Sequence, residues 1–172
     1  SRGLGDVYKR QLVQQFIKQN EFRPGHVAIV DTPAGSSQRL WNLVAEGYCV
    51  LIPTTLSNAD LYPTENFIRS MDKVKARYNK IYPHLVVCPN RIPFGQKDFS
   101  IMAKKLANHD VVIGPAIRDL ASVRHFYNGK HDSSENAQED FGQFGDFIEK
   151  FVLKGELDKI YAEDEREAMN VL

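Results

Sequence analysis

The sequence predicts an α/β fold in three layers, with a mainly parallel sheet that carries helices on both faces. Short continuous apolar runs, rich in β-branched residues, alternate with stretches whose apolar residues recur at helical spacing. Continuous runs are typical of strands buried on both faces, as in parallel sheets. Each run ends in a polar or Pro-containing turn, which would bring several polar segments to one edge of the sheet.

The first two strands and the helix between them are predicted to form a parallel unit. The apolar spacing over 12–20 indicates a helix, which a Pro-Gly pair ends before the first strand, 27–30. Ser36 and the apolar residues after it indicate a second helix that ends at Gly47. The run 48–53 is the next strand. A crossover this short favours a right-handed connection between parallel strands.

The alternation continues along the chain. Residues 56–63 are predicted to be a loop, and the spacing over 64–78 predicts a helix. The run 85–88 is a third strand, 96–109 the next helix and 110–115 a short fourth strand.

The last third of the chain is predicted to be mostly helical. A helix starts at Asp119 and is closed by Asn128-Gly129, and the polar residues 131–139 are interpreted as a connection. A further helix is expected to pack on the sheet. Its apolar residues are Phe141, Phe144, Ile148, Phe151 and Val152.

Composition and charge exclude several classes of protein. The 172 residues are 42% hydrophobic and 26% charged, which is ordinary for a globular protein of one domain. A formal net charge of zero excludes a general attraction to nucleic acid or to an anionic membrane. No apolar run has the length of a transmembrane helix, and the N-terminus lacks the apolar core of a secretory signal. A cytoplasmic protein without a membrane span is therefore expected.

Cysteine and histidine usage indicates no metal centre. Cys49 and Cys88 lie in apolar runs, and we expect both to be buried and reduced. The five histidines show neither zinc-ligand spacing nor a triad pattern, and most are expected in loops or at the surface.

Three segments divide the chain. Residues 6–11 resemble the translation of a transposon end used in sequencing libraries, so 1–11 are interpreted as a sequencing or adapter artefact. The alternative is a genuine polar arm. Residues 12–154 form the predicted domain, and 155–172 form an acidic helical tail whose charge argues against nucleic-acid binding by that tail.

Asp31 is the leading candidate for chemistry. It directly follows the run 27–30, at the edge of an open α/β sheet where ligands bind. A carboxylate there can hold Mg²⁺ directly or through water, and Gly35 lets backbone approach a phosphate. The alternative is that Asp31 only caps the helix that follows.

Further polar residues are expected to converge with Asp31 on one composite pocket. Thr54 and Thr55 follow the second strand, Asn90 and Arg91 the third, and 115–118 the fourth. An Asn side chain suits the donor and acceptor edge of a purine, and Arg91 can contact phosphate or stack on a base. The alternative is that the Asn-Arg pair only makes a turn.

Four segments, in this order, resemble the ParA/MinD group of deviant Walker A ATPases, which are P-loop NTPases. They are 27–35 for its switch II motif, 49–54 for the next strand, 86–91 for the base-contacting Asn turn and 113–129 for a Pro-containing segment before a helix. The resemblance spans roughly 27–130. It implies an incomplete P-loop NTPase-like fold in which 12–154 are the C-terminal part of the ATPase domain.

The resemblance also implies site residues. Asp31 would bind Mg²⁺ and Asn90 would read adenine. The other nucleotide-binding residues would be Thr32, Pro33, Ala34 and Gly35 at the γ-phosphate, with Arg91, Pro115, Ile117 and Arg118 beside the base. Ala34 replaces a second Pro seen in many members, a change that the backbone tolerates because Ala can adopt the same conformation.

Members of the family form ATP-dependent dimers whose hydrolysis positions plasmid or chromosomal DNA, or the division site. The resemblance thus implies ATP and Mg²⁺ as ligands, a homodimer when ATP is bound, a partition partner protein and non-specific DNA contact. No Gly-rich loop with its Lys-Ser/Thr pair occurs in this chain, and that loop holds the β- and γ-phosphates. We therefore expect the chain as given to be inactive, with the loop and its strand upstream of residue 12.

Other functions stay open. The same scaffold suits a non-catalytic binding or adaptor protein, or a nucleotide-dependent biosynthetic enzyme, because fold does not fix function. Four basic residues on one predicted helix form either a solvated face or a patch for phosphate or nucleic acid. They are Lys73, Lys75, Arg77 and Lys80.

Overall fold

The computed structural model describes residues 27–32, 44, 47–78, 83–121 and 134–159. Within these ranges a small open sheet has three parallel strands in the order β1, β2, β3. The strands are β1 (Cys49–Thr54), β2 (His84–Pro89) and β3 (Val112–Ile113). The predicted α/β class with a parallel sheet is confirmed at this level, and the fourth predicted strand is shorter than expected.

The register of the sheet brings the carboxyl ends of its strands to one edge. Cys49 is opposite His84 at one end of the β1 and β2 pair, and Thr54 is opposite Pro89 at the other. On the other side of β2, Val87 is opposite Ile113, the last residue of β3. All three strands run in the same direction, so the segments that follow them start close together.

Three α-helices and one π-helix lie wholly within the described residues, and 156–159 are also helical. They are α1 (Asn58–Tyr78), α2 (Ser100–Leu106), α3 (Glu135–Phe147) and the π-helix Ile148–Leu153. At the end of the π-helix, the Lys154 N–H donates to the Glu149 carbonyl at 3.0 Å. This bond spans five residues, which is the spacing of a π-helix.

Two helices start earlier in the chain than predicted because serine side chains cap their first turns. The predicted loop 56–63 is wrong from Asn58 onwards, because Ser57 Oγ accepts the Asp60 N–H at 3.2 Å and satisfies the first turn of α1. α3 begins inside the predicted connection 131–139, because Ser134 Oγ accepts the Ala137 N–H at 3.3 Å.

α2 is shorter than the helix predicted over 96–109. The Ser100 N–H donates to Asp98 Oδ1 at 2.8 Å, so the helix starts at Ser100. A turn precedes it, closed by the Gln96 N–H donating to the Pro93 carbonyl at 3.1 Å, with Gly95 at a φ of 83°. This turn uses a backbone conformation that cannot continue as a helix.

The two faces of β2 pack against different helices. Leu85 and Val87 belong to a core cluster with α1 and α2, whereas Val86 and Cys88 cluster with Phe147 of α3 and with the π-helix. Every residue of β2 is buried. Burial on both faces therefore explains the continuous apolar run, because a strand covered on both faces has no polar side.

The chain divides into two compact units, residues 1–35 and 36–172. In the first, residues 27–32 form neither helix nor strand and their side chains are exposed, with Ile29 at 93%. The buried strand predicted at 27–30 is therefore wrong. An apolar run forms a strand only where a neighbour satisfies its N–H and C=O groups, and no such neighbour is described in this unit.

His84 is buried at the amino end of β2, in contrast to the loop or surface position expected for most histidines. Its Nε2 lies 2.8 Å from Asp158 Oδ1, and the Tyr48 hydroxyl donates to Asp158 Oδ2 at 3.2 Å. The Tyr48 and His84 rings meet edge to face, with centroids 5.2 Å apart. This cluster joins the segment 155–159 to the amino edge of the sheet.

Several predictions lie outside the described residues. They concern the segment 1–11, the helix over 12–20, the helix after Ser36 apart from a helical Val44, most of the helix after Asp119, and the tail beyond residue 159. Cys88 is buried as expected, whereas Cys49 is half-buried, and the two form no disulfide. Among the helices that are described, none is both long and apolar enough to cross a membrane.

Burial should make both thiols unreactive. It raises the pKa of Cys49 to about 12 and that of Cys88 to about 11. Because the thiolate is the nucleophile, iodoacetamide at about pH 8 should alkylate both at least ~100-fold more slowly in the folded protein than in urea. Mass spectrometry of timed samples measures the two rates. Equal rates in the folded and unfolded chains would contradict the burial.

The same pKa shifts predict alkaline destabilisation. The unfolded chain loses the thiol protons near the ordinary pKa of 9.0, and the folded chain keeps them to higher pH. Above about pH 9 the unfolded state binds fewer protons than the folded state, so the free energy of unfolding should fall as the pH rises. Urea titrations of the protein and its Cys88→Ala variant measure this slope, which should be shallower in the variant.

Candidate functional site

An open cleft of about 410 Å³ lies at the carboxyl ends of β1 and β2. Its lining combines polar side chains with two prolines and comes from β1, the start of α1 and the turn after β2. The lining residues are Pro53, Thr54, Thr55, Asp60, Pro63, Thr64, Asn90 and Arg91. The structure therefore brings together at this edge the four residues predicted to converge there, Thr54, Thr55, Asn90 and Arg91.

A buried pair of hydroxyls joins β1 to α1 in this cleft. Thr64 Oγ1 donates to Thr54 Oγ1 at 3.0 Å, and both residues are buried. A polar group inside a protein is stable only when its hydrogen bonds are made, so each hydroxyl depends on the other. The pair fixes the start of α1 against the end of β1.

A second polar cluster caps α1 at the rim. Thr55 Oγ1 donates to Asp60 Oδ2 at 2.5 Å, and Ser57 Oγ donates to the same oxygen at 3.0 Å. These hydrogen bonds, first from Thr55 and then from Ser57, lower the pKa of Asp60. Sequence reasoning missed Asp60 and Thr64. The Ser57-x-x-Asp60 spacing, a capping-box pattern, was the signal that could have located this helix start.

The turn after β2 holds Asn90 and Arg91 in a fixed geometry. The Asn90 N–H donates to the Thr54 carbonyl at 2.7 Å, and Asn90 Oδ1 accepts the Arg91 N–H at 2.9 Å. Arg91 has a φ of 54°, a left-handed conformation that is uncommon outside glycine. In the part of the chain that the structure describes, no acceptor is recorded for Asn90 Nδ2. The Asn-Arg pair therefore makes a turn and still presents an amide donor.

The segment 115–118 runs beside this turn. The Ile117 N–H donates to the Pro89 carbonyl at 2.8 Å, and the Ile92 N–H donates to the Ile117 carbonyl at 3.1 Å. Ile92 and Arg118 form an isolated parallel bridge. Pro115 and Ile117 are half-buried there. The structure thus brings the third and fourth predicted polar segments together through backbone hydrogen bonds.

Arg118 is engaged by α3. Its Nε donates to Asp140 Oδ1 at 2.9 Å, its Nη2 lies 2.8 Å from Glu139 Oε2, and its Nη1 donates to Asn136 Oδ1 at 3.2 Å. The guanidinium also lies 5.8 Å from the centre of the exposed Phe94 ring. The hydrogen bonds that Arg118 donates to Asp140, and then to Glu139, raise the pKa of Arg118. Sequence reasoning assigned Arg118 to a nucleotide and missed these acidic partners.

The predicted metal residue belongs to the first unit. Asp31 and Thr32 are exposed and lie outside any strand, while Pro33, Ala34 and Gly35 lie outside the described residues. The described residues contain no group of three or more His, Cys, Asp or Glu side chains that could hold a metal ion. One exposed carboxylate nevertheless suits Mg²⁺, which commonly keeps several waters and takes further oxygens from phosphates.

Loss of one buried hydroxyl at the cleft should cost more than loss of both. Thr64→Val leaves the buried Thr54 oxygen without its donor, so the free energy of unfolding should fall by about 1–3 kcal/mol. The double variant with Thr54→Val replaces both groups by similar shapes and should recover part of that loss. Urea denaturation followed by circular dichroism measures both. A double variant that is destabilised as much as Thr64→Val, or more, would show that the two hydroxyls do not depend on each other.

Comparisons of the chain with protein-family models, with curated proteins and with solved structures find no match.

Proposed function

We propose that this chain is the C-terminal part of a ParA-like partition ATPase, and that its cleft is the adenine side of a Mg-ATP site. One observation carries the proposal. The Asn90 turn is held on one side by the Thr54 carbonyl and lies beside the 115–118 segment, with its amide donor available. Two motifs that resemble the family's base-binding segments thus lie side by side.

The chemistry of the cleft suits a purine nucleotide. Asn90 Nδ2 can donate to a ring nitrogen of adenine, since its Oδ1 is taken by the turn. Arg91 is exposed at the rim, where its planar guanidinium can stack on the base or pair with a phosphate. The volume of about 410 Å³ lies within the range of small-molecule sites.

The phosphate side of the proposed site rests on residues outside this cleft. The resemblance assigns Asp31 to Mg²⁺ and 32–35 to the γ-phosphate, and this half of the proposal rests on that resemblance alone; the metal would neutralise charge on the phosphates. The loop that cradles those phosphates does not occur in the sequence, so the chain as given should bind adenine without hydrolysing ATP. We further propose that the intact protein is a cytoplasmic homodimer that associates with DNA. A partner protein would trigger its ATP hydrolysis.

Asn90→Asp should weaken adenine binding selectively. Asp can still accept the Arg91 N–H and keep the turn, but it offers no donor to the base. The affinity for AMP should fall by about tenfold or more, measured by NMR titration of the chain with AMP and with GMP.

Asn108→Asp is the matched control for that measurement. It adds the same charge at an exposed residue after α2, near the amino end of β3, so it should leave AMP binding unchanged. Wild-type protein that binds AMP and GMP equally weakly would contradict an adenine site. That result would favour the non-catalytic binding or adaptor function.

Asp31→Ala tests the metal. In a version of the protein that carries the family's Gly-rich loop upstream, the substitution should abolish Mg-dependent ATP hydrolysis, measured as phosphate release. Asp146→Ala, at an exposed position on α3, should hydrolyse ATP at the wild-type rate. Unchanged turnover in Asp31→Ala would remove Asp31 from the site.

A further inference from the structure

Asp140 of α3 is a buried carboxylate with a single basic partner in the described residues. It is 5% exposed, and its two oxygens accept from both the backbone and the side chain of Arg118. The Arg118 N–H donates to Oδ2 at 2.8 Å and Nε donates to Oδ1 at 2.9 Å. Charge-assisted bonds in this paired arrangement fix the orientation of both groups.

Backbone hydrogen bonds link the Arg118–Asp140 contact to the Asn90 turn. Arg118 lies between Ile117, whose carbonyl accepts the Ile92 N–H, and Asp119, whose N–H donates to the Ile92 carbonyl at 2.8 Å. Ile92 directly follows Arg91, the residue with the left-handed backbone. A non-glycine residue keeps that conformation only where its surroundings hold it. The bonds to Ile92 are the described contacts that hold the turn from its far side.

α3 is in turn fixed on the sheet. Phe147 at its C-terminal end packs against Val86, and a Cβ placed on Gly114 would lie 3.6 Å from the Phe147 ring. Asp140 fixes the other half of the helix. The helix is therefore a rigid support that is anchored to the sheet at one end and to Arg118 nearer the other.

We propose that Arg118 is a positioning residue: through Asp140 it transmits the placement of α3 to the Asn90 turn and so sets the direction of the Asn90 amide. This inference rests on the proposed function for its ligand, an adenine nucleotide. It differs from the role expected of Arg118 from the sequence, because the guanidinium acts through backbone and does not touch the base. The geometry of the turn follows the ion pair even when no nucleotide is bound.

Asp140→Asn tests the inference. The amide keeps one acceptor, but its NH₂ group faces one of the two Arg118 donors, so the paired contact cannot form. The Arg91 backbone amide and the Asn90 side-chain amide should shift in ¹⁵N NMR spectra of the free protein. The preference for AMP over GMP should fall by about tenfold, the size expected for one misplaced polar contact.

Glu139→Gln is the matched control on the same arginine. Glu139 contacts Arg118 at 2.8 Å but its side chain is 57% exposed, and exposed ion pairs contribute little. This variant should keep the wild-type shifts of Asn90 and Arg91 and the wild-type nucleotide preference. Arg118→Lys keeps the charge without Nε and should give intermediate shifts, which provides a second test if Asp140→Asn folds poorly.

The two proposals fail in different ways. Asp140→Asn protein that is folded but less stable, with unchanged Asn90 and Arg91 resonances, would overturn the positioning role, because a purely structural contact does not move those resonances. Wild-type protein that shows no AMP preference would overturn the nucleotide site instead. In that case the free-protein resonances still decide whether Arg118 positions the turn.

Discussion

β2 pairs in parallel with a strand on each side, and this double pairing sets the position of everything at the carboxyl edge. Its six residues are buried, so neither face is available to solvent. A parallel strand can be paired in this way only through crossovers that return the chain to the same starting edge. The polar segments after the strands are neighbours for that topological reason, and their side chains do not cause it.

Backbone hydrogen bonds, more than side chains, assemble the cleft. The Thr54 carbonyl holds the turn after β2, and the Pro89 and Ile92 backbones hold the segment after β3. Side chains then fix the helices to this edge, through the Thr54 and Thr64 hydroxyls at α1 and through Arg118 and Asp140 at α3. Two different kinds of polar contact thus attach helices on the two faces of β2 to one framework.

The fold could be read from the sequence where burial dictates residue type. The central strand β2 was predicted because a strand covered on both faces must be a continuous apolar run, as in 85–88. The helix starts were mispredicted because Ser57 and Ser134 cap them through single side-chain bonds that leave no periodic pattern. The run 27–30 has the composition of a strand, but composition does not supply the neighbour that a strand needs.

The site was predicted only in part for a similar reason. Topology alone brings together Thr54, Asn90 and the segment 115–118, so the strand order was enough to group them. The partner of Arg118 comes from α3, many residues away, and no local pattern links an arginine to a distant carboxylate. The burial of His84 has the same origin, since Asp158 reaches it from the C-terminal segment.

The π-helix after α3 determines the orientation of the residues that follow it. Its wider turn adds residues to the path between Phe147 and Gly155 without adding a full helical step. If the segment kept all its residues but reverted to α-helical geometry, the described residues beyond it would rotate by about 100°. Asp158 would then swing away from His84 and Tyr48. The π-helical geometry is therefore what keeps Asp158 beside His84, and a one-residue deletion within it could be absorbed by reversion to an α-helix.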